Sequence, residues 1–226
     1  MGLDMYISKN KCVDHDRDSR ERTIKIKEVI YLRKANQIHK YFVDNFGGGV
    51  DECQEIGIEI DDIKNLNDIC KRIVKESKLA DGWVYYEYNC SRRVPKDKAI
   101  ELAVKKDLRF VNAGGVAPSD IKVGDYLWGS ETSADKVEEI EEQDDEFYIR
   151  CGSECVAKVI TNPELAQAEL PTQAGFFFGD TNYNEYYLDD LKEYIRQADE
   201  VIADYENEIA NGTDKFDIDY TYQASW

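Results

Sequence analysis

Arg33, Asn36, Gln37 and Lys40 recur at i, i+3, i+4 and i+7 within YLRKANQIHKYFVDN, so a helix sets them on one face. Lys34 lies beside that face, and His39 sits at its edge next to Ile38. Arg and Lys can neutralise a phosphate, Arg through paired N–H bonds, and Asn can read a base edge. The grouping is informative because the chain carries 29 Lys+Arg against 47 Asp+Glu, a formal charge of −18. The chemistry it points to is anion binding. The competing account is a solvated helix face with one core histidine.

A second stretch, LPTQAGFFFGDTNY from Leu170 to Tyr183, brackets three phenylalanines with Gly175 and Gly179. Glycine there allows backbone angles closed to other residues and close approach of a ligand. Asp180 or Thr181 can cap the helix that follows, whose free N–H groups attract anions. Phe176, Tyr183, Tyr186 and Tyr187 offer faces on which a base can stack. The competing account is a buried strand, Phe176 to Phe178, with at least one ring in the core.

Familiar catalytic spacings are missing: there is no GxxxxGK[ST], HExxH, GxSxG or GxGxxG. Six cysteines form no CxxC pair, and only His15 and His39 could serve a cysteine or serine nucleophile. With no secretory signal at Met1–Tyr6, the cysteines read as reduced thiols and the location as cytoplasmic. No metal or other cofactor is expected. No apolar run approaches the ~18 residues of a membrane span, and the acidic balance argues against direct nucleic-acid binding.

The elements around these stretches are legible by period. Residues 3–8 and 23–32 read as strands, 9–22 as a mobile loop, and 54–60 as a short strand. A helix over 33–46 is stopped by Gly47-Gly48-Gly49. Asp61 and Asp62 read as N-caps of a helix over 61–79 with Ile63, Leu66, Cys70 and Ile73 on one side. From Tyr186 to about Asn211, Leu188, Leu191, Ile195, Ala198, Ile202, Tyr205 and Ile209 alternate steps of three and four. That narrow stripe should pack along helix 61–79, or be shared with a second copy of the chain. The tail 216–222 alternates like an edge strand. In the middle, 82–90 is β-prone, 96–106 reads as a short helix, and GDYLWGS, KVEEIEE, FYIRCG and ECVAKVI read as short strands of a small barrel or sandwich, with a turn at Asp144-Asp145.

MGLDMY at 1–6, YLRKANQIHKYFVDN at 31–45 and LPTQAGFFFGDTNYNEYYLDDL at 170–191 resemble a family of bacteriophage and prophage proteins of no established activity. Its members carry Trp where Tyr41 stands and Asp where Asn184 stands. The resemblance covers both ends of the chain and implies a role in infection, such as blocking a host defence. It also brings the two candidate stretches into one module.

The resulting expectation is an α+β protein: a small, mostly antiparallel sheet packed against two or three helices, built from 1–81 plus 169–226 and split by a β-rich insert over 82–168. Its expected ligand-binding residues are Arg33, Lys34, Asn36, His39, Lys40, Thr172, Gly175, Phe176, Gly179, Asp180, Thr181, Tyr183 and Tyr186. Three functions follow in order. The first is capture of a nucleotide-like small molecule to disarm a host defence, at a deep positively lined pocket around Arg33, Lys34 and His39. The second is inhibition of a host defence protein by DNA mimicry through Glu138, Glu139, Glu141, Glu142, Asp144 and Asp145. The third is an enzyme acting on nucleotides with His39 as acid-base group.

Overall fold

The computed structural model describes residues 2–15, 22–86, 110–111, 121–130, 133–143 and 146–226. The chain is α+β, with antiparallel sheets and helices. It divides into two units, one of 1–77 with 162–226 and one of 78–161. The expected junctions stood at 81/82 and 168/169. The outer unit takes in 162–168 because Glu164–Glu169 forms a short helix, α3, whose Glu169 pairs with Arg72 of the outer unit.

In the outer unit, β1 (Asp4–His15) and β2 (Arg22–Arg33) form a long antiparallel ribbon, and β9 (Ile218–Ser225) pairs with β1 on its other side. β3 (Ile56–Ile58) closes the sheet in the order β2-β1-β9-β3. Two expectations are corrected here. Residues 9–15 are strand, not loop: the Lys9 ammonium is buried and pairs with Asp204 at 2.8 Å and Glu208 at 3.0 Å, so its polar sequence serves a helix rather than solvent. The tail is a central strand rather than an edge, because it pairs with β1 on one side and β3 on the other, and its alternate residues Ile218, Tyr220, Tyr222 and Ala224 are all buried.

Three helices complete the unit: α1 (Asn36–Asn45), α2 (Ile60–Glu76) and α4 (Glu185–Ala210). α1 starts three residues later than expected because Arg33 ends β2 and Lys34 takes a left-handed conformation, φ 61°. Arg33 therefore never shares a helix face with Asn36, Gln37 and Lys40. The N-cap of α2 is Glu59, whose backbone N–H is held by Asp62 in a reciprocal capping box, so Asp61 and Asp62 lie inside the first turn.

Ile63, Leu66, Cys70 and Ile73 are fully buried, as their spacing required. On α4 the buried set is Tyr187, Leu188, Leu191, Tyr194, Ala198 and Val201, while Ile195, Ile202, Tyr205 and Ile209 are only half-buried. α4 serves two neighbours. Tyr194 and Asp199 reach α2, while Gln197 bonds both the N–H and the carbonyl of Tyr31 on β2. The buried face is therefore broader than a two-helix seam.

The unit of 78–161 holds a second sheet in the order β4-β8-β7-β6-β5: β4 (Leu79–Tyr86), β5 (Phe110–Val111), β6 (Tyr126–Ser130), β7 (Ser133–Gln143) and β8 (Glu146–Ile160). FYIRCG and ECVAKVI, expected as two strands, run as one. Val137 is fully buried and packs with Ile121, Leu127, Ile140 and Cys151. The expected helix 96–106 and the turn at Asp144-Asp145 lie outside the described residues.

Candidate functional site

The start of β1 lies between the two candidate stretches and joins them. The Lys34 N–H donates to the Leu3 carbonyl at 2.8 Å, and the Leu3 N–H donates to the Phe177 carbonyl at 3.1 Å. A methyl group added at Gly179 would come 3.0 Å from the Lys34 Cβ, and one at Gly2 would come 3.4 Å from both the Arg33 guanidinium and the Lys34 Cε. The Lys34 side chain thus runs between Gly2 and Gly179, with Arg33 beside it. Gly179 has φ 91°, which strains any residue with a Cβ.

Residues 175–179 form a turn rather than a strand. Its Phe178 N–H donates to the Gly175 carbonyl at 3.1 Å, and the Phe178 ring folds under Gly175 so closely that a Cβ there would sit 2.6 Å away. The three phenylalanines separate by role: Phe178 is buried, Phe177 half-buried, and Phe176 is 86% exposed.

Asn36 fastens this turn to α1. Its side-chain amide donates to the carbonyls of Phe178 at 3.2 Å and Asp180 at 2.8 Å, and its oxygen accepts from the Gln173 N–H at 2.8 Å. His39 is buried between Tyr222, 2.7 Å from Nδ1, and Asp51, 3.0 Å from Nε2. The Asp51 carboxylate accepts from Nε2, and Nδ1 shares a hydrogen bond with the Tyr222 hydroxyl, so both ring nitrogens are engaged. Phe178 and Trp226 meet the His39 ring edge-on at 5.1 and 5.7 Å. Asn36 and His39 therefore position the site and leave no polar atom for a ligand. This corrects the picture of a deep pocket lined by His39, and with it His39 as an acid-base group: burial and saturated bonding keep the ring from a reactant.

The remaining expected residues divide the same way. Lys40 is paired with Asp44 at 2.7 Å on α1. The Thr172 hydroxyl donates to the Thr181 carbonyl at 3.0 Å, and the Thr172 N–H donates to the Tyr183 hydroxyl at 3.2 Å. Asp180 does not cap the helix; its carboxylate accepts from the Asn182 N–H and from the side-chain amides of Asn182 and Asn184. The cap is Asn184, which accepts from the N–H groups of Tyr186 and Tyr187. Its position just ahead of the apolar stripe was a readable signal. Tyr186 is 41% exposed. Of the cations, Arg33 has only Asp4 at 3.7 Å, and the exposed Lys34 ammonium has no carboxylate partner among the described residues.

Gln37, on the expected face but not among the expected ligand-binding residues, is buried and donates to Asp190 at 3.2 Å. Burial pushes the Asp190 carboxyl up to about 6 from 3.8. The folded chain then binds more protons than the unfolded chain between those values, so stability falls as pH rises from about 4 to about 6 and stays lower above that. Asp190→Asn removes this penalty while keeping an acceptor for Gln37. Urea unfolding should show it more stable than the parent by about 1–2 kcal/mol at pH 7.5 and unchanged at pH 3.5.

Among the described residues no group of three or more His, Cys, Asp or Glu gathers as metal ligands would, and no helix is long and apolar enough to cross a membrane. Of the carboxylates expected to imitate DNA, Glu138, Glu139 and Glu141 are exposed on β7, Glu142 is a residue of the same strand, and Asp144 and Asp145 lie outside the described residues. No protein-family model, no curated protein and no solved structure matches the chain.

Proposed function

We propose that the outer unit binds a phosphate-bearing, nucleotide-type ligand, with the phosphate held at the surface by Arg33 and Lys34. The observation that carries this reading is the placement of Lys34. A lysine in a left-handed conformation, which a non-glycine residue adopts at a cost of about 1 kcal/mol, is held between two glycines in a chain of charge −18, its ammonium without a carboxylate partner among the described residues. Arg33, its side chain 58% exposed, stands next to it and can add paired N–H bonds. The site is an open surface rather than the enclosed pocket that the sequence suggested. Withdrawing a host nucleotide signal is the role such binding would serve in a bacteriophage protein.

Titration calorimetry with nucleoside 5′-diphosphates and cyclic nucleotides tests the reading. The parent chain should give saturable heat, and Arg33→Ala combined with Lys34→Ala should weaken binding at least tenfold, about 1.4 kcal/mol. Equal affinity in the double variant, or no heat with any nucleotide, would end the proposal.

A further inference from the structure

The sheet of the outer unit has one face against α4 and one turned away. Lys9 and Lys11 reach Asp204 and Glu208 of α4, so the alternate residues Tyr6, Ser8 and Asn10 point to the opposite face. Tyr6 and Tyr31 stand directly opposite each other in the β1–β2 register. Their ring centroids are 5.3 Å apart with planes at 38°, and Tyr31 is 42% exposed. The Tyr31 hydroxyl donates to Asp4 Oδ1 at 2.6 Å, and the same oxygen is 3.7 Å from Arg33 Nε. Asp4 Oδ2 has no protein partner among the described residues. The surface is therefore continuous: two phenol rings, a carboxylate with a free oxygen, then Arg33 and Lys34.

We infer that this face holds the base of a mononucleotide, stacked on the Tyr6–Tyr31 pair, while its phosphate sits at Arg33–Lys34. The inference rests on the phosphate reading of those two cations and adds where the base goes. Each part of the surface matches one part of a nucleotide. Two adjacent phenol rings, inclined at 38°, offer aromatic surface against which a planar heterocycle can stack. Asp4 Oδ2 can accept a hydrogen bond from a ribose hydroxyl or an exocyclic amine lying between base and phosphate. The positive end matches the anionic end of the ligand. Phe176, the ring that the sequence offered for stacking, stands at the turn and is the alternative place for the base.

The test uses the full chain, ADP, and ribose 5-phosphate as a probe with no base, read by titration calorimetry. Tyr31→Leu should weaken ADP about tenfold and leave ribose 5-phosphate unchanged. Tyr31→Phe, which keeps the ring, should hold ADP within about threefold of the parent. Thermal unfolding of both variants should match the parent, since Tyr31 is a surface residue. Three results would overturn the inference: ADP affinity insensitive to Tyr31→Leu, ADP affinity lost in Phe176→Ala instead, or affinity that climbs with the length of an oligonucleotide. The first two leave the phosphate reading standing so long as Arg33→Ala with Lys34→Ala still weakens binding at least tenfold. Failure of ADP, ribose 5-phosphate and the cyclic nucleotides alike to bind the parent removes both.

Discussion

Asn36→Ala should lower the unfolding free energy by about 3 kcal/mol, although it deletes only an exposed-looking polar residue of the sequence. The side chain is buried and makes three bonds, all to backbone groups of another segment: the Phe178 and Asp180 carbonyls and the Gln173 N–H. Alanine leaves all three without their partner. An orphaned buried group costs about 1–3 kcal/mol, and two of these three bonds are only partly buried, so water recovers part of the loss. Asn36→Asp sharpens the test. It keeps an acceptor for Gln173 but turns a negative charge toward two carbonyls, so it should be at least as damaging. Urea unfolding gives the size of the effect, and amide hydrogen exchange gives its place, with Gln173 losing protection first. A change below about 0.5 kcal/mol would mean that the turn is held by its own bonds and that Asn36 does not position Lys34 and Gly179.

The same residue shows how far the sequence could be read. Spacing located the segment and its polar face, because period reports which residues share a side. It could not report what that side meets. Asn36 and Gln37 face a turn and a helix that lie some 140–150 positions away in the chain, so their burial has no local signature. The fold was more legible where burial and period coincide, as in Ile63, Leu66, Cys70 and Ile73. It was less legible where charge is buried. Lys9 and Lys11 made residues 9–15 look like loop, since the carboxylates that accept them arrive on α4. The His39–Asp51 contact has no motif at all, joining a helix to the loop that follows it. Arg33 and Lys34 were readable as cations and were misplaced only in their element. The left-handed residue that separates β2 from α1 is a lysine, where a glycine would have marked the break.

Tyr222→Ala should be the most damaging of the substitutions considered, at about 4 kcal/mol, and comparison with Tyr222→Phe separates its two causes. The ring lies in the core, stacked on Phe42 with centroids 4.4 Å apart and planes at 20°. Removing a buried aromatic ring costs about 3–5 kcal/mol through lost contacts and the cavity left behind. The hydroxyl acts separately. Burial holds it protonated, and it hydrogen-bonds with His39 Nδ1 at 2.7 Å. Tyr222→Phe keeps the stack and orphans that nitrogen, so it should cost about 1–3 kcal/mol. The effect should also travel. His39 is the surface against which Phe178 and Trp226 pack, and Phe178 is the residue on which the Gly175 turn closes. A His39 ring released from Tyr222 therefore loosens the turn that holds Lys34, and the emission of Trp226 should shift in Tyr222→Phe before global unfolding begins. If Tyr222→Phe matches the parent in both stability and Trp226 emission, the hydroxyl is not what fixes His39, and the chain of contacts from β9 through α1 to the cationic surface is broken at its first link.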